Sequence, residues 1–465
     1  MAERDLTQGP VWRALTAVSA PMSLGILAVL SVGIVDAYFL GQLGGAPLAA
    51  VGFLYPVATA ITSLAIGLSA GANTAVSQAL GRKDDAAVPR RLALHAFGLG
   101  GILGTLVALI FWIGYPALFS VMGAGEEVLA EISEYAPWWA FSFPFLVVMM
   151  VTNAVFRAHG DGATSAIIMV FSAVVNMALT PLLIFGWWII PGLETEGAGL
   201  ATFIGRAVAA VAAIAYGIWK GFLQFRCAPF QNIPRSVREI GGVGLPAAFS
   251  NAINPAGMAA VTAAVATLGE AAVGGFGAAT RVQSLALVAL LALSSGIGPV
   301  VGQNWGADKP DRARKAVRQS WIFCALYGVS IALLLTLLAG PISSAIASDD
   351  EAARYTSLYL SVVSWSLVGY GILVTANAAM NARSKALWSM GLSLSRIFLI
   401  YLPFAWLGVW LFGYPGILAA AVAANIFAIW GAFVTGRATG LIETETGIVT
   451  GPAKAASDLK ERVAD

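Results

Sequence analysis

Long apolar runs and short charged breaks alternate along the whole chain. A run of roughly 20 apolar residues is long enough to cross a bilayer as a helix. Twelve are read, near residues 14–40, 50–79, 92–118, 135–157, 164–190, 198–222, 240–268, 273–303, 314–340, 355–380, 386–412 and 414–437. The pattern predicts an all-α integral membrane protein of twelve transmembrane helices.

The breaks sort by charge. Those after even-numbered runs carry Arg82, Lys83, Arg90 and Arg91, then Arg157, then Lys220, Arg226, Arg235 and Arg238. Lys309, Arg312, Arg314, Lys315 and Arg318 follow, and then Arg383 and Lys385. Both chain ends, with Arg4, Arg13, Arg437, Lys454, Lys460 and Arg462, fall on that same side. The opposite breaks hold Arg354 among Glu126, Glu127, Glu131, Glu134, Glu194, Glu196, Glu270, Asp349, Asp350 and Glu351. Lys/Arg bias sets orientation, so both termini are expected to be cytoplasmic, in a multi-pass protein of the cytoplasmic (inner) membrane. The basic run 309–318 is read as this topology signal and not as a nucleic-acid site. The Trp138/Trp139 and Trp187/Trp188 pairs, at outer span ends, read as interfacial anchors. The start MAERDLTQGPVWR is polar and the run behind it is too long for a signal-peptide core, so no cleavable signal is expected.

The pattern also repeats. At an offset of 225, Pro21 meets Pro246, Gly52 meets Gly277, Ser69 meets Ser294 and Gly71 meets Gly296. Val76 and Val301, Gln78 and Gln303, and Gly81 and Gly306 continue the series. Six spans per half return the chain to its starting side. The halves should therefore be parallel, pseudo-symmetric six-helix bundles related by an axis along the membrane normal, with the working cleft between or within them. The expected division is an N-lobe at 1–222, a cytoplasmic linker at 223–239, a C-lobe at 240–437 and a cytoplasmic tail at 438–465. Gly81 and Gly306 are read as helix stops, with Gln78 and Gln303 tying the following loops.

Composition narrows the function. The chain has 465 residues, 58% hydrophobic and 11% charged, against roughly 25% charged in a soluble domain. With two histidines and two cysteines, a metal site is not expected, and Cys227 and Cys324 read as inert thiols. No G-x-x-x-x-G-K-[ST] loop is present, so ATP does not act through a P-loop. An integral-membrane enzyme would need clustered His, Glu or Asp near one interface, and none is seen. No cofactor is expected.

One acid lies well inside an apolar run: Asp36, in the far half of the first span. A carboxylate there is expensive in lipid and is normally turned toward a bundle interior or a wet cavity. At the same offset it meets Val261, so the acid belongs to one half alone. That asymmetry suggests a task and not shared packing, although a carboxylate that only ties helices together is the bland alternative. Arg206, Arg281 and Arg396 are the cations placed inside spans. Snorkelling explains Arg206 and Arg396 without a function, whereas Arg281 could bind anionic groups or pair across the cleft. Tyr38, Phe53, Tyr55 and Trp365 could line a cavity for aromatic cations.

At these residues the chain resembles the multidrug and toxic compound extrusion (MATE) family. The matching pieces are VDAYFLGQLGGAPLAAVG, SAGANTAVSQALGRKD, FRAHGDGATS, NMALTPLLIFG and SSGIGPVVGQNWGADK. The resemblance implies alternating access and export of organic compounds, cationic or amphipathic, against an inward flow of protons or sodium ions. It makes Asp36 the coupling carboxylate and Pro21 the helix-bending proline. Asn176 and Thr202 become cavity positions, and Arg281 the arginine of the DinF-like branch. Thr180 stands where many relatives carry a second acid, and the seventh span lacks the acid of the sodium-coupled NorM-like branch. Both departures favour protons, leaving Asp36, Asn176, Thr180 and Thr202 as a weaker sodium candidate. One titrating site implies one proton per cycle. A flippase for a lipid-linked precursor is the rival reading. A monomer is expected.

Overall fold

The structure is a computed structural model that describes residues 5–83, 85–188, 191–224, 228–347 and 349–443. Cys227 and most of the expected tail lie outside the described residues; Cys324 is a buried free thiol. No strand occurs among the described residues. The first half comprises α1 (Val11–Leu43), α2 (Gly45–Arg82), α3 (Ala87–Val121), α4 (Glu126–Phe141), α5 (Phe143–Ala158), α6 (Gly162–Phe185) and α7 (Glu194–Trp219). The second opens with α8 (Ile233–Ala266), which starts seven residues before the expected 240, and continues through α9 (Glu270–Ala286), α10 (Val288–Gly306) and α11 (Pro310–Leu337). The short α12 (Ala339–Ile346) leads to α13 (Asp350–Val363), α14 (Leu367–Ala382), α15 (Ala386–Leu394), α16 (Leu402–Phe412) and α17 (Tyr414–Ala438).

Among the described residues, nine helical segments are each long and apolar enough to span a membrane. The pairs α4–α5 and α9–α10, bent by 42° and 44°, bring the total to eleven. The twelfth expected span is α8. It is 34 residues long, but Asn251, Asn254 and two internal prolines dilute its apolarity. Breaks within spans have local causes. At α4–α5 the Ser142 hydroxyl donates to Trp139 O at 2.5 Å, and Pro144 supplies no backbone N–H. One repeat later, a single 3₁₀ turn at Ser364–Ser366 separates α13 from α14. A wider π-type turn, Ser395–Tyr401, joins α15 to α16.

The helices pack into two bundles that meet at one face. Leu6 of the N-terminal segment lies on Gln303, its backbone N–H donating to Oε1 at 2.9 Å. Arg314 Nε donates to Gly440 O at 3.1 Å, so both described chain ends sit on this face. Here the halves interleave. Val11, Ala14, Leu15 and Val18 of α1 are buried in the core of the second half, and Ile240 of α8 is buried in the core of the first. Away from this face the cores are separate, one drawn from Val261, Phe276 and Leu360, the other from Phe111, Ile132 and Phe143. Gly52 and Gly277, one repeat apart, have open space where a Cβ would be. The bundles are closed at the chain-end face and diverge toward the other.

The closure is pseudo-symmetric. Gln78 Nε2 donates to Ala382 O at 2.7 Å and to Ser384 Oγ at 3.1 Å, in the second half. Gln303 Nε2 donates to Ala158 O at 2.7 Å, in the first. Each glutamine does tie a loop, but the loop belongs to the opposite half. Gly81 and Gly306 are not simple stops. A Cβ on Gly81 would stand 2.1 Å from Gln303 O, and one on Gly306 2.2 Å from Gln78 O. Both positions need glycine because the two backbones touch.

The outer surface is apolar. On α3, Ile102, Leu106, Leu109, Ile110 and Ile113 are exposed, a stripe that a membrane protein turns to lipid. The tryptophan pairs divide. Trp187 and Trp188 are exposed, whereas Trp139 is buried edge-on to Phe143, with centroids 4.8 Å apart. Trp138 Nε1 donates to Glu196 Oε1 at 2.8 Å. Neighbours on a helix point about 100° apart, so an interface cannot claim both residues of such a pair.

Candidate functional site

Asp36 lies on α1 in the diverging part of the molecule, half-buried. Its Oδ1 accepts a hydrogen bond from Thr180 Oγ1 of α6 at 3.0 Å. The same hydroxyl lies 3.0 Å from Asn176 O, one turn earlier on α6. A threonine hydroxyl has one proton to donate, so it serves the carboxylate or its own helix, not both. Ionised Asp36 draws that proton outward. Protonated Asp36 can itself donate to Thr180 and release the hydroxyl to Asn176 O. The pair therefore changes its hydrogen bonding with the charge of Asp36.

Asn176 and Thr180, four apart on α6, share a face, and both are buried. Asn176 Nδ2 donates to Thr202 Oγ1 of α7 at 3.3 Å, and Thr202 donates to Ala198 O at 3.1 Å. Asn176 Oδ1 is buried with no hydrogen-bond partner, a cost in apolar surroundings and an open acceptor one turn before Thr180. Asp36, Thr180, Asn176 and Thr202 thus form one continuous group across α1, α6 and α7.

Two further residues lie by this group: Arg206, marked in the sequence as a cation inside a span, and Tyr135, which no sequence pattern marks. Tyr135 of α4 is buried, its backbone packed against Gly199 of α7. Arg206, four residues after Thr202 on α7, lies near Asp36, with no ion pair joining them among the described residues. Its Nη1 donates to Ser142 Oγ at 2.7 Å, at the α4–α5 break. Arg206 is held inside the bundle and does not snorkel. The remaining expected residues lie apart. Tyr38 is 64% exposed and, two residues on from Asp36, points about 200° around α1. Its ring meets Phe39 edge-on at 5.3 Å. Arg281 is exposed on α9, in the other half. Pro21 lies inside α1, which runs through it without a break; it removes one N–H from the helix ladder.

The site carries one formal negative charge with hydroxyl and amide oxygens around it. No group of three or more His, Cys, Asp and Glu able to hold a metal occurs among the described residues. The arrangement suits binding and release of a single proton or, less strongly, a monovalent cation.

Comparison with known proteins places this geometry in a family. The MatE family model matches residues 21–182 and again 246–407, two stretches related by the repeat seen in the sequence. A protein of Shewanella oneidensis named FAD transporter is 33% identical over 90% of this chain and 93% of its own length. The probable multidrug resistance protein YoeA of Bacillus subtilis is 26% identical over 90% of this chain and 93% of its own. The crystal structure of a mutant of the Vibrio cholerae MATE transporter VcmN, 29% identical, covers 92% of this chain and 98% of its own with a TM-score of 0.88. Two parallel six-helix bundles, a repeat matched twice and full-length likeness to such proteins have one reading: the chain belongs to the MATE family of membrane transporters, multi-pass proteins that move small molecules on ion gradients and are not enzymes.

Proposed function

We propose that the protein exports amphipathic organic compounds in exchange for protons, with Asp36 as the coupling carboxylate. The observation that carries this is the Asp36–Thr180 hydrogen bond, which attaches a lone intramembrane acid to a polar group whose bonding follows its charge. The chain-end face, rich in Lys and Arg, is taken as cytoplasmic, and residues 1–222 and 240–437 as the two lobes. The structure then corresponds to a state closed to the cytoplasm. Protonation of Asp36 from an acidic exterior would remove the charge that holds a cationic group. Loss of the proton to the cytoplasm would restore that charge for the next substrate. The relatives' names support export of drugs and, for one of them, transport of FAD. That last name favours a second reading, in which the cargo carries phosphate.

Expression in a bacterium lacking its own drug pumps should raise resistance to cationic dyes and lower dye retention. No change with a broad dye panel would count against the multidrug reading. Thr180→Val removes the hydroxyl while keeping shape. Hydrogen bonds between membrane helices average about 0.6 kcal/mol, so this variant should slow efflux a few-fold and shift its pH dependence without abolishing it. Efflux as low as with an inert carboxylate would mean that Thr180 has a larger part, such as ion ligation.

A further inference from the structure

The second lobe holds a buried charge of opposite sign. Arg396 lies in the π-type turn between α15 and α16 and is only 7% exposed. Its Nη1 donates to Asn254 Oδ1 of α8 at 3.0 Å. Its Nε and Nη2 donate to Asn425 Oδ1 of α17 at 3.2 and 2.9 Å. Asn425 is braced in turn, its Nδ2 donating to Ser366 Oγ at 2.7 Å. The guanidinium lies 5.6 Å from the centre of the Tyr370 ring. No carboxylate pairs with it among the described residues. In the first lobe Arg206 has Asp36 nearby; Arg396 has only neutral oxygens.

A buried cation is costly unless paired, and π-type turns gather at functional sites. A guanidinium has five N–H donors in a planar fork. Three contacts reach amide oxygens, so donors remain for an oxyanion. Asn254 and Tyr370, which contact the group, are both only half-buried, and α8 stands to the second lobe as α1 stands to the first. We propose that Arg396, positioned by Asn254 and Asn425, binds an anionic group of the transported compound, a phosphate or carboxylate. This rests on the reading of the chain as an exporter of organic compounds and names a chemical class for part of its cargo.

The test is equilibrium binding to the full-length purified protein of two fluorescent probes that differ by one phosphate, riboflavin and riboflavin 5′-phosphate. Charge-assisted hydrogen bonds should make the phosphate ester bind about tenfold tighter or more. Arg396→Gln should bring the two affinities together, and Arg396→Lys should restore part of the difference. Asn254→Asp places an internal carboxylate beside the guanidinium; it should keep the fold and also remove the preference. Repeating the measurement in nanodiscs with phosphatidylglycerol separates two sources of phosphate. A preference unaffected by that lipid assigns the site to soluble anions, and one abolished by it assigns the site to a lipid headgroup. Equal binding of both probes by the wild type under every condition, or a preference untouched by Asn254→Asp and Arg396→Gln, would overturn the proposal. Failure of the transport reading shows separately, as absence of gradient-driven dye efflux by the wild type.

Discussion

Asp36→Asn should reduce energised efflux to the level of cells lacking the protein, while the variant still inserts and retains its helix content. The amide keeps the volume, and its oxygen can still accept the hydrogen bond from Thr180 Oγ1, which lies 3.0 Å from Asp36 Oδ1. It cannot take up or lose a proton, so the step that links gradient to cargo is gone. Because Asp36 is half-buried and not locked in an ion pair among the described residues, the fold should bear the change. The variant should still bind substrate, more weakly for a cationic compound. Dye efflux from energised cells, with the amount of inserted protein measured in parallel, checks both parts. An inserted variant that still pumps against a gradient would refute the role, and one that fails to insert would mark Asp36 as a structural tie.

Gly81→Val should have an effect of similar size through geometry alone. The added Cβ would stand 2.1 Å from Gln303 O, a backbone atom that cannot swing aside, so the two lobes must part at the chain-end face. Spin labels at Lys83 and Lys309 should report a short distance in the wild type and a longer, broader distribution in the variant. Transport should be lost because the closed state of the cycle is no longer reachable. Gly306→Val should act alike, since its Cβ would meet Gln78 O at 2.2 Å. Gln78→Leu should be milder: it removes hydrogen bonds but introduces no clash. A Gly81→Val protein with wild-type distances and transport would show that the close approach has no part in the cycle.

Much of the architecture was legible from apolar runs and one constant offset, because bilayer thickness and an internal duplication both write themselves directly into sequence. Asp36 stood out for a related reason: an acid in an apolar span has few explanations. Its partner Thr180 came from likeness to a family, not from spacing. The rest depended on contacts between distant helices. Tyr135 and Arg206 join the group around Asp36 only through the packing of α4, α6 and α7, and no local pattern announces that. Arg396 looked like a snorkelling side chain because sequence does not reveal a π-type turn that rotates it inward onto Asn254 and Asn425. Gly81 and Gly306 looked like helix stops because a backbone contact between lobes leaves the same residue type as a terminus does. Tyr38 and the Trp138/Trp139 pair show a simpler lesson: helix geometry separates residues that are adjacent in the chain.

The coupling of export to protons through Asp36 is tested most directly in proteoliposomes under one imposed gradient at a time, with a monovalent cationic dye as cargo. Exchange of one proton for one such cation moves no net charge, and potential acts only on charge moved across the bilayer. A pH gradient should therefore drive dye transport by the wild type and not by Asp36→Asn, while membrane potential alone or a sodium gradient alone should drive none. Transport on a sodium gradient alone would contradict the account and make Asp36, Thr180, Asn176 and Thr202 a cation site; transport by Asp36→Asn on a pH gradient would remove Asp36 from the coupling altogether.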